Sequence, residues 1–326
     1  VKDAKKCFDN RNKQKVAFSA REDKNSKEFW RKWKRVMEGL GNNYQNNYKN
    51  IGGTNSLEET CSGFKSHFSK CFVNSNDNVN LKSKYLNDFD MYFSPEKWGV
   101  DDFVIFSTAD VQLALHNLKC GKAAGSDGIT AEHLKYGGAK MVEVIVWLVN
   151  MCVMHGYVPD DFGRGVICPV QKKKHICRDF DDFRPITLVN MISKVVELLL
   201  RDKFLHAGNI NKHQFGFVPS GGCDKALCVV KSVCDYYIEH GSSIYLSALD
   251  ISKAYDSVNH FGLFSCLIKA RLPRTIVLLM ICWYSKLSGV VKWGIYFSVP
   301  LDIQSGCRQG GPWSPWLFNL DRKSVV

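Results

Sequence analysis

No two of the 13 cysteines stand in a Cys-x-x-Cys pair, and no histidine pair follows at finger spacing, which removes the common zinc frameworks. A signal peptide and an apolar run of membrane-spanning length are also missing, so neither secretion nor membrane insertion is expected. The thiols are then expected to be reduced and mostly buried in an intracellular protein of the nucleus or cytoplasm. Cys223, Cys228 and Cys234, set among Ala226, Leu227, Val229 and Val230 in a helical pattern, fit that expectation. No repeat of solenoid period occurs. Acidic residues are in deficit: 32 Asp and Glu face 44 Lys and Arg, a net charge of +12 and a pI near 9.0. That balance favours polyanionic partners such as nucleic acid.

Positive charge is concentrated at the start. Residues 1–50 hold 14 Lys and Arg against 6 Asp and Glu, with Trp30 and Trp33 three apart in Phe29-Trp30-Arg31-Lys32-Trp33-Lys34-Arg35. Such a run reads as a basic amphipathic helix that either docks through its tryptophans or contacts nucleic-acid phosphates. A loop rich in Asn, Gly and Tyr follows over 41–55, then a helix over 57–72 and a polar, irregular stretch over 74–102. A compact unit begins near Phe106, with Ser107 or Thr108 as a helix cap. Helices are expected over 141–154, 192–206, 224–240, 261–270 and 274–285, the last broken or shortened near Pro273. Strands are expected over 166–170 and 244–250 and within 290–299, and a helix opens over 312–320. The sum is an α+β unit over 106–320 behind a mainly helical, basic extension and linker over 1–105. Opening on Val1 and breaking off a helical pattern, the sequence reads as truncated at both ends, with 321–326 a truncated or non-native tail.

Three places carry chemistry. A carboxylate at the C-terminal end of a buried strand is rigidly held and open on one side, as Mg²⁺ requires. Asp250 is thus a candidate metal ligand, with the Ile251 carbonyl as a second oxygen; the plain alternative is an Asp that caps a helix. Tyr255 would be carried back toward Asp250, where its ring either rejects a 2′-hydroxyl by shape or serves as an ordinary core aromatic. Ser305 to Asn319 is a glycine-rich loop opening a helix. There Gly310 allows close approach of the backbone, Arg308 and Gln309 supply polar reach, and Pro312 and Pro315 suit a first helical turn.

At these residues the chain resembles the reverse transcriptases of non-LTR (LINE-type) retrotransposons. Leu249-Asp250-Ile251-Ser252-Lys253-Ala254-Tyr255-Asp256 is similar to their motif A, and Gly306-Cys307-Arg308-Gln309-Gly310-Gly311-Pro312 to their motif B. Lys119-Cys120-Gly121-Lys122-Ala123-Ala124-Gly125-Ser126-Asp127-Gly128 resembles the family's opening block. Ile167-Cys168-Pro169-Val170-Gln171-Lys172-Lys173 with Phe183-Arg184-Pro185-Ile186 resembles the fingers motifs, and Gln214-Phe215-Gly216-Phe217 the block before motif A. The resemblance implies a right-hand polymerase fold reduced to fingers and partial palm, copying RNA into DNA on an RNA template and DNA primer. It implies two Mg²⁺ ions and deoxynucleoside triphosphates, with Lys172 and Arg184 over the triphosphate, where a point charge and a planar fork suit phosphate oxygens.

Two-metal transfer needs several carboxylates. In the family the others come from motif C, an aromatic-x-Asp-Asp hairpin downstream of motif B, which this sequence does not contain. Asp101-Asp102, Asp160-Asp161 and Asp181-Asp182 read as surface turn acids and not as substitutes. The chain is therefore expected to be inactive alone, with an uncovered motif A strand and poor solubility. Trp313 and Trp316, where the family has Leu, would crowd the nucleotide site. A non-catalytic nucleic-acid-binding remnant and a group II intron maturase-like protein stand as the alternatives.

Overall fold

The computed structural model describes residues 51–73, 79–94, 99, 102–172, 179–207, 213–218, 221–251 and 253–322; the tryptophan-bearing basic run lies outside them. Apolar residues three and four apart in Leu57–Phe72 make an amphipathic helix, α1, which opens at Ser56, whose hydroxyl accepts from the Glu59 N–H. One side buries Cys61, Phe64, Phe68 and Phe72. The stretch expected to be irregular contains a helix, α2 (Val79–Tyr92). Its polar surface hides a sparse apolar side on which Tyr85 packs its ring 5.5 Å from Phe261 and 5.7 Å from Phe264.

α3 (Thr108–Asn117) starts in a capping box between Ser107 and Asp110. After the short α4 (Ala131–Lys135), α5 (Gly138–His155) ends on Gly156 at φ 57, the left-handed turn that glycine permits. By length and composition α5 could cross a membrane, contrary to the expectation of no such run. It is also a packed helix: Ile145, Val149 and Val153 are buried, and Asn150 bonds both the N–H and the carbonyl of Phe106.

The one-turn α6 (Asp160–Gly163) leads into the sheet. β1 (Arg164–Gln171) pairs antiparallel with β2 (Phe183–Val189), in a register that sets Pro169 opposite Pro185. Neither proline disrupts the ladder. Two residues on, Thr187 sends its N–H outward to Gln309, so Pro185 stands where an N–H would also point away from β1. β1 pairs parallel with β3 (Ser288–Trp293), which also carries β4 (Tyr296–Phe297) and β5 (Leu301–Asp302) antiparallel. Helices α7 (Met191–Phe204), α8 (Cys223–Glu239), α9 (His260–Lys269), α10 (Arg274–Ser285) and α11 (Ser314–Arg322) complete the α+β arrangement. Pro273 is the N-cap of α10 and does not break it.

Three further expectations are corrected. Residues 244–251 form no strand: Tyr245 is 93% and Leu249 94% exposed. A strand buried on both faces needs ladder partners, and none of the described residues supplies one. The thiols are not mostly buried, because Cys120, Cys223 and Cys228 are exposed and α8 has no buried residue. Asp102 is no surface acid. Its carboxylate accepts from the Arg274 guanidinium at 2.6 Å and from the Arg274 backbone N–H at 3.0 Å, tying the approach to α3 to the start of α10. Burial alone would raise this carboxyl, but the bonds from Arg274 and Gly99 hold it below the ordinary value. Asp160 and Asp161, paired with Lys286 and Arg164, remain largely exposed.

Asp102→Ala should lower unfolding stability in urea by about 3–5 kcal/mol, since the buried Arg274 charge would lose its carboxylate partner. The wild-type contribution is present above the unfolded carboxylate pKa and lost as pH falls through the lower folded value. A loss under about 1 kcal/mol would show that the pair does not hold α10 in place.

Candidate active site

Two loops are laced together at the centre of the molecule. The first, 253–258, begins at Lys253, a non-glycine residue at φ 50, and turns so that the Asp256 and Ser257 N–H groups both reach the Lys253 carbonyl. The second, 305–311, leads into α11. Gly306 N–H donates to the Val258 carbonyl at 2.7 Å, and Cys307 N–H to that of Tyr255 at 2.9 Å. Gln309 Nε2 donates to Asp256 Oδ1 at 2.9 Å, and Ser305 Oγ to the Asp256 carbonyl at 3.1 Å. The approach requires glycine at two points. A Cβ on Gly306 (φ 91) would lie 2.9 Å from the Asp256 Cα, and one on Gly310 (φ 126) 2.7 Å from the Thr187 carbonyl oxygen. Thr187 N–H donates to the Gln309 carbonyl at 2.9 Å, so β2 joins the same seam.

Between this seam and α1 lies a cavity of about 600 Å³. Of the residues nominated from sequence, Lys172, Arg184, Tyr255, Arg308, Gln309 and Gly310 all line it. Lys172 stands just past β1 and Arg184 on β2, both exposed. The Tyr255 ring stacks on Phe318 with centroids 4.8 Å apart and meets Phe217 edge-on at 5.9 Å, and burial pushes its hydroxyl up to about 12. Asp250 and Ile251 do not line the cavity; they sit on the exposed 244–251 segment.

Arg308 borders the cavity, but its guanidinium is turned into the core. It donates to Glu197 Oε1 at 2.7 Å and to the Phe162 carbonyl at 2.8 Å, and lies over the Trp283 ring. Its polar reach is therefore structural. The tryptophans do not crowd the cavity either: Trp313 and Trp316 stack at 5.3 Å in the core, while Ser314 and Pro315 present the other side of the helix opening to the cavity.

The reverse transcriptase (RNA-dependent DNA polymerase) family profile matches residues 170–322, which include both loops and most of the cavity lining. Over residues 170–322 the chain is similar to that family. Among curated proteins it is 28% identical over 210 residues to the retrovirus-related Pol polyprotein from type-2 retrotransposable element R2DM of Drosophila melanogaster, covering 64% of the chain and 19% of that protein. It is 28% identical over 223 residues to the probable RNA-directed DNA polymerase from transposon X-element of the same fly, covering 66% and 24%. Against the RNA-directed DNA polymerase from mobile element jockey of Drosophila funebris the identity is 25% over 215 residues, covering 65% and 23%. The chain thus spans about a fifth to a quarter of the length of these relatives. They are non-LTR retrotransposon proteins, in line with the resemblance, and the maturase-like and binding-remnant alternatives are not favoured.

The cavity and its seam also include residues that the sequence did not single out. Asp256 is 6% exposed, and burial raises its carboxyl against the bond from Gln309 and the charges of Lys253 and Lys172. Lys253 and Asp181 also line the cavity, as do His67 and Cys71 of α1. Lys253 and Asp256 were visible inside the motif A block. His67 and Cys71, four apart and one step round the helix from Phe64 and Phe68, were visible only as a polar edge on an amphipathic helix.

Behind the seam lies His260, whose Nε2–H donates to the Gly306 carbonyl at 3.0 Å and whose burial lowers its pKa to about 4. The unfolded chain would protonate this imidazole near 6.5 while the folded one stays neutral. Stability from His260 is therefore present above about pH 6.5 and lost as pH falls to about 4, a loss on the order of 3 kcal/mol. Equilibrium urea unfolding across that window should show the decline in the wild type and a flatter profile in His260→Gln. Parallel profiles would remove His260 as the cause.

Proposed function

We propose that the cavity binds the incoming deoxynucleoside triphosphate, and that the parent protein of this domain copies retrotransposon RNA into DNA from a primer. The observation that supports this most directly is the convergence of Lys172, Arg184, Tyr255, Gln309 and Gly310 on one cavity, from the end of β1, from β2 and from two loops distant in sequence. Lys172 and Arg184 would take the phosphates, the first as a point charge and the second as a fork. The Tyr255 ring, held flat by Phe318, would face the sugar.

The donor set does not fit a pair of Mg²⁺ ions. Among the described residues no group of three His, Cys, Asp or Glu side chains comes together. Asp250 is exposed outside the cavity, Asp256 is buried and bonded to Gln309, and Asp181 is paired with Lys253 and lies beside His67. We therefore assign this chain nucleotide binding without chemistry of its own.

With a fluorescent deoxynucleoside triphosphate, Arg184→Ala should weaken binding about tenfold, as expected for a lost charge-assisted pair. A primed RNA template supplied with Mg²⁺ and deoxynucleotides should not be extended by the chain. Robust extension that vanishes in Asp250→Ala would overturn the second statement, and unchanged affinity in Arg184→Ala the first.

A further inference from the structure

At the α1 side of the cavity several cationic or donor groups converge on one acid. His67 Nε2 and Lys253 Nζ each stand 3.4 Å from Asp181 Oδ1. Lys172 Nζ donates to the Asp181 main-chain carbonyl, and Lys253 Nζ also reaches Cys71 Sγ at 3.3 Å. All five residues line the cavity together with Arg184. We propose that Asp181 is a resident counter-anion, and that Lys253 and His67 bind the nucleotide's phosphates once those phosphates displace its carboxylate. The proposal rests on the reading of the cavity as a nucleotide site and extends it to two further binding residues.

The position of Asp181 is built and not incidental. It belongs to the 3-10 turn Phe180–Asp182, and the neighbouring Phe180 ring meets Phe64 edge-on at 4.9 Å. A Cβ on either Gly52 or Gly63 would come within 2.3 Å of that ring. Phe180 thus fills a slot left by two glycines, and the turn is pinned to α1 with Asp181 beside His67. The carboxylate itself is held loosely. Its side chain is 70% exposed, and ion pairs with such exposure are weak and screened by salt.

A triphosphate brings several oxyanions where Asp181 brings one, so it competes well for the same donors. The surroundings of His67 agree. Burial lowers its pKa, Asp181 opposes that, and Lys253, Lys172 and Lys70 lower it further. A neutral imidazole still offers an N–H to a phosphate oxygen. Lys253 is placed for the same task by its left-handed backbone at the start of the first loop.

Binding of dTTP with Mg²⁺, of inorganic tripolyphosphate and of a short single-stranded oligonucleotide should be measured at low salt on the full chain. Asp181→Asn should tighten dTTP and tripolyphosphate about threefold, the modest gain expected from removing an exposed competitor, and leave the oligonucleotide unchanged. Asp181→Ala should act alike, Lys253→Met should cancel the gain, and Lys253→Arg should keep it. If Arg184→Ala weakens dTTP binding but neither Asp181 variant tightens it, the counter-anion fails while the nucleotide site stands. A gain confined to the oligonucleotide would also overturn it, assigning the cations to a strand's phosphodiesters. If Arg184→Ala changes nothing, the nucleotide site and this inference fall together.

Discussion

Gln309 holds the buried carboxylate of Asp256, and around that bond the backbone of 305–307 is fastened to that of 255–258. Most of what faces the cavity depends on this seam. Tyr255 is presented by one side of it and Gly310 by the other, and the outer edge of β2 is attached through Thr187. The seam tolerates no side chain at Gly306 or Gly310, so its closeness is written into two glycines. Glu197 and Arg308 brace it from behind, with the Trp313 N–H donating to Glu197 as well. Removing one member of so buried a pair leaves the other charged in a poorly solvated place. The seam is therefore rigid by construction, as the proposed nucleotide site would require in order to select a sugar by shape.

Helices with strong apolar periodicity were legible in the sequence almost to the residue, as with Leu57–Phe72 and Arg274–Ser285. So was the grouping of Lys172, Arg184, Tyr255, Gln309 and Gly310, because the ordered motif blocks carry information that periodicity does not. What could not be read was direction. Nothing local says that the Arg308 guanidinium turns inward to Glu197, 111 positions earlier in the chain. The same holds for Asp102 and Arg274, separated by 172 positions. Acids in polar stretches read as surface acids until a distant partner is known. The α2 helix was missed for a related reason, since its few aromatics gain their meaning only from the side of α9 that they meet.

The misread strand has the opposite cause. Residues 244–250 have the alternation and the terminal carboxylate of a buried strand, but a strand is a statement about neighbours as much as about sequence. Without a ladder its apolar residues lie open, and α8 beside it in sequence exposes Leu227, Val230, Tyr236 and Ile238. Exposed apolar residues of this kind are what drives association where they are contiguous. Asp250 lies on this uncovered segment, outside the cavity.

Charge is used in two ways in this domain, and exposure separates them. The pairs Asp102–Arg274 and Glu197–Arg308 are nearly sealed from water, each with further hydrogen bonds to backbone groups. Their partners cannot be exchanged without a large penalty, so they fix geometry. Around the cavity the pairing is different: Asp181, Lys253, Lys172 and Arg184 all reach solvent, and the attraction between Lys253 and Asp181 is small enough to be traded. The proposed nucleotide site would need both kinds: buried pairs that hold loops and helices so that the cavity keeps its shape, and exposed charges that could transfer their attraction to phosphate. The assignment of Arg308 to the first group and Lys253 to the second follows from where their side chains end, and not from their place in a motif.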